Sequence, residues 1–349
     1  MKLLVTGGAG FIGSNYIHWV LANRPDAQVV NFDKLTDVAN EENLRDIERD
    51  PRYRFVKGDV ADAEAVDAVM RGCDSVVHFA AESHVDRSIL DASSFYRTNV
   101  EGTLVLLEAA RVHKPSRFVQ ISTDEVYGSL GETGAFSETS PIRPNSPYAA
   151  SKAAADLFVR SYVETHGVPA MVTRCCNNYG PFQFPEKLIP LMTIRALEEK
   201  TLPVYGDGSN VRDWIYVEDH CAAIHAVLEK GTVGEIYNIG SRAERPNLEI
   251  VREILMRLDR SQDLIRFVKD RPGHDWRYAI DPAKIESELG WKPAVSFEGG
   301  IDRTVAWYRE NAEWWEAIRR RPSWAKFFAS WYDDRLANAR REKDTPAED

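Results

Sequence analysis

An α/β fold built on a doubly wound parallel sheet, with a smaller and partly interleaved C-terminal domain, is predicted by three features of this 349-residue chain. Short β-branched runs alternate with helix-length segments through the first half. Those runs lack polar alternation, and a glycine-rich loop joins the first of them to the first helix. Strands covered on both faces read as continuous apolar runs, so the sheet is expected to be parallel and sandwiched between helices.

Strands are predicted at 2–6, 28–32, 53–56, 75–79, 117–121 and 170–173, where β-branched and other apolar residues cluster. Helices are predicted between them at 11–22, 41–49, 62–71, 91–112 and 146–166. After Gly180 the pattern loosens. Proline and glycine punctuate 181–212 and 270–273, with helices expected near 187–199, 217–230, 247–259 and 297–316 and strands at 202–205 and 235–239. Residues 1–180 are expected to form the first domain, with elements near 213–240 returning to it. Residues 181–320 form the second, and 321–349 a helical extension and charged tail. The cleft between the lobes is the expected site.

Composition narrows the function classes. Lys and Arg number 44 against 54 Asp and Glu, a net charge of −10, which argues against general binding to a nucleic-acid backbone. A local cationic pocket for a small anion is compatible with that balance. No apolar run approaches the ~18–20 residues of a membrane span, and the N-terminus breaks into glycines too early for a signal peptide. Cys73, Cys175, Cys176 and Cys221 lack metal-ligand spacing and read as reduced structural cysteines. The expectation is a cytoplasmic protein with no metal and no nucleic-acid or membrane partner.

Thr6-Gly7-Gly8-Ala9-Gly10-Phe11-Ile12-Gly13 follows the first strand and opens a helix. Glycines at 7, 10 and 13 permit a tight turn, close approach of backbone N–H groups to a pyrophosphate, and close helix–sheet packing. Asp33 stands 20 residues beyond Gly13 at the end of the second strand. A carboxylate there accepts from the ribose 2′-hydroxyl of NAD and repels the 2′-phosphate of NADP. Asp59 and Val60 are placed to meet the adenine side. The reading is a Rossmann domain that binds NAD.

Tyr148 and Lys152 are four residues apart and share a helix face. Alone this spacing is common; after the glycine loop it is informative. A phenol with an ordinary pKa near ~10 is no base at neutral pH. A cation about 4 Å away, at an effective dielectric of about 20, stabilises phenolate by ~4 kcal/mol, which suits alcohol deprotonation as hydride leaves. Thr123-Asp124-Glu125 ends a strand expected to be central, where open α/β sheets bind ligands. Desolvation there would drive two carboxyl titrations apart, leaving one acid and one base. From the segment alone, a solvated acidic loop is an equal reading.

With these residues the chain resembles the dTDP-glucose 4,6-dehydratases of the extended short-chain dehydrogenase/reductase superfamily. The stretches that carry the resemblance are 33–36, Ala80-Ala81-Glu82-Ser83-His84-Val85-Asp86-Arg87-Ser88, 122–128, 148–152, Asn177-Asn178-Tyr179-Gly180-Pro181, 184–190, 211–214 and Asp270-Arg271-Pro272-Gly273-His274. The likeness covers the chain from Met1 to about Trp315. It implies that Tyr148 takes the proton of the 4-hydroxyl while hydride passes from carbon 4 to NAD. Glu125 then abstracts the carbon 5 hydrogen, Asp124 protonates the departing 6-hydroxyl, and hydride returns to carbon 6. Thr123 would hold the 4-oxygen, and Lys152 would complete the catalytic set.

By the same resemblance Gly7, Gly10, Phe11, Ile12, Gly13, Asp33, Lys34, Leu35, Thr36, Asp59, Val60, Ala80, Ala81, Thr98, Tyr148, Lys152 and Asn178 would contact NAD. Ser83, Thr123, Asn177, Lys187, Leu188, Pro203, Val204, Tyr205, Arg212, Asn247, Asp270, Arg271 and His274 would contact dTDP-glucose, with Arg212 and Lys187 at the diphosphate. The chain departs from the family at Asp37-Val38-Ala39, Cys176, Gln183 and Pro246. A UDP- or CDP-hexose dehydratase and a nucleotide-sugar 4-epimerase are the alternatives. A non-catalytic NAD sensor would more naturally have lost the tyrosine, lysine or acidic pair. A homodimer through helices 91–112 and 146–166 is expected. Beyond them, Trp324, Phe327, Phe328, Trp331 and Leu336 recur at helical spacing over 322–338. Their stripe is expected to pack on the chain's own second lobe, with cover of a subunit or partner surface as the alternative. Residues 340–349 read as a frayed charged tail.

Overall fold

The computed structural model describes residues 1–339. Its strands in chain order are β1 (Lys2–Thr6), β2 (Gln28–Asp33), β3 (Tyr53–Lys57), β4 (Ser75–His78), β5 (Arg117–Thr123) and β6 (Ala170–Cys175). There follow β7 (Asn177–Tyr179), β8 (Leu202–Tyr205), β9 (Val211–Tyr216), β10 (Ile236–Ile239), β11 (Glu244–Pro246) and β12 (Ile265–Val268). Seven of them form one parallel sheet in the order β3-β2-β1-β4-β5-β6-β10. Successive strand side chains point to opposite faces, so Leu3 and Val5 enter one apolar core while Leu4 enters the other. The helices Phe11–Asn23 and Val217–Lys230 cover the first face through Tyr16, Ile17, Ile224 and Val227. Ala63–Met70, Gly102–His113 and Pro147–His166 cover the second through Val66, Leu106 and Val159.

Strand order reverses between β1 and β4, and crevices open at the carboxyl ends of strands at such a switch. The second lobe caps that edge. It contains β11-β9-β7, the parallel pair β12-β8, and the helices Leu188–Leu197, Asn247–Arg257 and Phe297–Glu310. Ile189, Trp214, Ile250 and Ile301 form its core.

The helix expected at 91–112 is present as consecutive helical segments from Ser93 to His113, separated from an unforeseen short helix before it. Val85–Leu90 stops at Asp91, whose carboxylate accepts from Ser93 N at 2.9 Å and Ser93 Oγ at 2.6 Å. Ser93–Phe95 and a wide π-helical turn, Tyr96–Glu101, then lead into Gly102–His113. Side-chain capping by Asp competes with helix continuation. The 41–49 segment is a 3-10 helix over Glu41–Ile47, and the helix expected at 297–316 divides at Asn311. The expected 322–338 helix consists of Pro322–Phe328, a wide turn at Ala329–Asp333, and Asp334–Ala337. Residues 340–349 lie outside the described residues. All four cysteines are buried and free.

Behind the sheet edge, Arg174 of β6 donates Nε–H to Asp156 at 3.0 Å, and both side chains are 2% exposed. Ser122 Oγ donates to the same carboxylate at 3.0 Å, and the guanidinium lies over the Tyr127 ring. Removing one partner of a buried pair strands the other's charge. Asp156→Ala should therefore lower unfolding free energy by about 3–5 kcal/mol, read as a lower urea midpoint at unchanged slope; an unmoved midpoint would show that the pair contributes little.

Candidate active site

A cleft of 280 Å³ runs along the carboxyl edge of the sheet. One end is the glycine loop. β1 ends at Thr6 and the chain turns at Gly7, φ 71°. A Cβ on Gly7 would lie 2.5 Å from Ala80 N, and one on Gly13 would lie 2.3 Å from the Gly7 carbonyl oxygen. Only glycine fits either position. The helix that follows has neither a side-chain cap nor an acidic residue in its first turn. An uncapped N-terminus behind such a loop fits a pyrophosphate, which would meet backbone donors and the positive end of the helix dipole.

Asp33 closes β2. Its Oδ2 accepts from Ala9 N at 2.9 Å and its Oδ1 from Leu35 N at 2.8 Å. Burial pushes this carboxyl up, against those two backbone hydrogen bonds. The bond to Leu35 closes a turn in which Leu35 is left-handed, φ 57°; Leu35, expected among the cofactor contacts, does not line the cleft. Lys34 Nζ pairs with Asp59 at 2.7 Å, so the cation beside Asp33 is already matched.

Sixteen of the seventeen expected NAD contacts line the cleft: Gly7, Gly10, Phe11, Ile12, Gly13, Asp33, Lys34, Thr36, Asp59, Val60, Ala80, Ala81, Thr98, Tyr148, Lys152 and Asn178. The other end of the cleft holds Ser83, Thr123, Asp124, Glu125, Asn177 and Lys187. Ser146 caps the helix Pro147–His166 by accepting from Ala149 N at 3.1 Å, with Pro147 at its first position. That register sets Tyr148 and Lys152 one turn apart, facing the end of β5. Asn99 ties this helix to the loop after β4, donating to Ser151 Oγ at 2.8 Å and to the Glu82 carbonyl at 3.0 Å.

Thr123 caps the turn Asp124–Tyr127 by accepting from Glu125 N at 3.2 Å. Asp124 is 2% exposed, and its Oδ2 has no hydrogen-bond partner. Burial, then the Glu125 carboxylate, push Asp124 well above the usual carboxylate range. Burial also raises Glu125, but Arg271, Lys187 and Arg212 all pull it back. The acidic loop is therefore desolvated, and its two carboxyls stand in unequal fields.

The expected effect of Lys152 on Tyr148 needs correction. Lys152 Nζ donates to the Ile121 carbonyl at 2.6 Å, and burial lowers it to about 8. Burial, then Glu125, raise the Tyr148 phenol well above its ordinary value, opposed by the Thr123 hydroxyl. Desolvation dominates the phenol, and the lysine is anchored to a backbone carbonyl.

The remaining residues of the expected substrate set lie outside the cleft lining. Pro203, Val204 and Tyr205 belong to β8 and Arg212 to β9; Leu188 and Asn247 begin helices, and Asp270, Arg271 and His274 follow β12. Arg212 donates to the carbonyls of Val211 at 2.7 Å and Asp275 at 2.8 Å, and Lys187 Nζ to that of Ser83 at 2.9 Å. His274 Nδ1 lies 2.7 Å from Asp270, and burial lowers the ring to about 4, so it is neutral near pH 7. Sequence reasoning passed over Phe32, Gly58, Phe79, Ser122, Cys175 and Phe184, all of which line the cleft. Most stand within a residue or two of a strand's carboxyl end, a positional signal that could have found them.

Residues 4–304 match the model of a family described as GDP-mannose 4,6 dehydratase. The chain belongs to that family. A family relative named dTDP-glucose 4,6-dehydratase, from Streptomyces niveus, is 53% identical over 323 residues, spanning 91% of this chain and 96% of that one. Another of that name, from Neisseria meningitidis serogroup B, is 51% identical over 340 residues with the same coverage. DesIV, a dTDP-glucose 4,6-dehydratase of Streptomyces venezuelae crystallised with NAD bound, is 52% identical with TM-score 0.90, covering 91% of this chain and 100% of that chain. The UDP-glucose 4-epimerase of Thermus thermophilus, also complexed with NAD, has TM-score 0.82 at 31% identity, covering 89% of this chain and 100% of its own. Family fold is thus shared with epimerases, and the cleft must separate the reactions.

A carboxyl whose native pKa stands above its unfolded value favours the fold below the ordinary carboxyl range, and that advantage is lost as pH rises. Asp124→Asn removes this loss. The variant should be more stable than wild type at pH 7, by a margin that shrinks towards zero near about pH 4. Paired thermal melts at the two pH values read the difference; an offset independent of pH would contradict the raised carboxyl.

Proposed function

We propose that the chain is an NAD-dependent dTDP-glucose 4,6-dehydratase acting as a cytoplasmic homodimer. The observation that carries the reading is the meeting of Tyr148, Thr123, Asp124 and Glu125 in the same cleft as the glycine cradle and Asp33. The backbone loop at Gly7–Gly13 and the Asp33 carboxylate would hold NAD. NAD, when bound, supplies the acceptor that takes hydride from carbon 4 and gives it to carbon 6, and its oxidised ring brings a positive charge.

The chain's own residues handle protons. Tyr148 takes the proton of the 4-hydroxyl, and Thr123 donates a hydrogen bond to the 4-oxygen as charge develops there. Tyr148 needs nearby positive charge to ionise, because burial and the Glu125 carboxylate oppose it. Once carbon 4 is a ketone, the hydrogen on carbon 5 is acidic enough for a carboxylate to remove. Glu125 suits that step because Arg271, Lys187 and Arg212 favour its ionised form. Asp124 suits the opposite transfer, since burial and the neighbouring carboxylate keep its proton for the departing 6-hydroxyl. An epimerase needs the tyrosine but no such acid and base.

Lys187, Arg212 and Arg271 lie on the Glu125 side and would receive the diphosphate. The exposed apolar side chains Tyr96, Val112, Leu157 and Phe158 support the homodimer reading. Among the described residues no helix is long and apolar enough to cross a membrane.

Given dTDP-glucose deuterated at carbon 4, the enzyme should release product one water lighter with the label on carbon 6. Retention of the label at carbon 4 with no water lost would point to an epimerase. Glu125→Gln and Asp124→Asn should keep NAD but slow water loss by roughly 10²–10⁴-fold, and undiminished dehydration in either would remove its role. Parallel assays with UDP- and CDP-glucose rank the base.

A further inference from the structure

The family match ends at residue 304, yet the chain continues into an aromatic segment whose polar atoms reach Tyr205 of β8. Phe327, Trp331 and Tyr332 are buried in the core of the second lobe. Apolar packing accounts for their rings. It does not account for their donors.

Trp331 Nε1 donates to the Tyr205 hydroxyl oxygen at 2.6 Å, and the Tyr332 hydroxyl lies 3.2 Å from the same atom. Tyr205 in turn donates to Asp86 Oδ2 at 3.1 Å. A phenol has one proton to give, and a carboxylate is its stronger acceptor, so Tyr332 must donate to Tyr205. The other Asp86 oxygen accepts from Arg271 Nη1 at 2.9 Å. Arg271 Nε is buried with no protein partner, although the charge of this guanidinium is felt at Glu125. The chain of bonds therefore runs from the C-terminal segment to a cation that still has a donor to offer an anion. Trp324, one turn before Phe328, provides the contrast: it is buried in a separate apolar cluster, and its Nε1 has no partner.

A second contact points the same way. The Phe327 ring lies 4.6 Å from the Arg87 guanidinium carbon and 5.1 Å from the His84 ring. Arg87 Nε donates to Glu186 at 3.0 Å, next to the cleft residue Lys187.

We propose that Trp331 and Tyr332 are positioning residues for the nucleotide-sugar. They fix Tyr205, and through Asp86 they orient Arg271 toward the phosphates of the substrate. This inference rests on the dehydratase reading above. It assigns to a segment beyond the family match a part in substrate binding, and leaves the chemical steps to residues on β5 and the Tyr148 helix.

The test uses the holoenzyme and the variants Trp331→Phe and Tyr332→Phe, which remove a donor and keep a ring. With dTDP-glucose, each should raise KM by roughly three- to tenfold while kcat stays within about twofold. NAD content should be unchanged, and Trp324→Phe should leave KM unmoved. In a Tyr205→Phe background, adding Trp331→Phe should raise KM little further, because the shared acceptor is gone. Unmoved KM in both donor variants, an equal rise in Trp324→Phe, or full additivity with Tyr205→Phe would each overturn the proposal. If Trp331→Phe does not fold, Tyr332→Phe decides. A wild-type enzyme that does not turn over dTDP-glucose would instead overturn the dehydratase reading; normal wild-type turnover with unmoved variants overturns the positioning role alone.

Discussion

Adjacent carboxyl groups that lose their water together cannot both remain ionised, and the cleft is arranged around that constraint. Asp124 and Glu125 leave β5 in a tight turn capped by Thr123, which holds both at the edge of the sheet under the second lobe. The lobe breaks their equivalence. It brings Arg271 and Arg212 close enough to favour charge on Glu125, with Lys187 as the third cation, whereas Asp124 keeps an oxygen with no partner. One peptide bond separates two groups suited to opposite proton transfers.

Holding such a pair requires rigid support beneath it. The Arg174–Asp156–Ser122 group, the Lys152 bond to the Ile121 carbonyl and the Asn99 link to Ser151 and Glu82 join β5, β6, the loop after β4 and the Tyr148 helix. Each uses a buried polar group whose alternative partner, water, is excluded, so displacement leaves a donor or acceptor unmatched. The same exclusion raises the phenol of Tyr148. Desolvation that helps Asp124 hold its proton works against the tyrosine, and local positive charge has to compensate.

The first lobe was legible because its signals are local. Buried parallel strands require unbroken apolar runs, and a pyrophosphate cradle requires glycines at fixed places, so β1 matches its expected span and β2 to β6 differ only at their ends. Of the residues expected to contact the cofactor, all but Leu35 line the cleft. Leu35 escaped because its orientation depends on a left-handed turn closed by the Asp33 side chain, which residue type does not announce. β7, β9, β11 and β12 were not foreseen. They are short, and partners such as Asn177 and Trp214 meet only after the intervening chain has folded.

The sequence by itself determined the layered α/β architecture, the glycine loop, the Asp33 terminus and the one-turn spacing of Tyr148 and Lys152, because backbone geometry and helical periodicity convert directly into residue patterns. Tertiary structure alone decided which way the titrations move. Whether Asp124–Glu125 is a wet loop or a dry pair, and whether Lys152 faces a phenol or a carbonyl, depends on groups brought in from distant segments. Electrostatic energies follow distance and dielectric, and neither is written in the order of the residues.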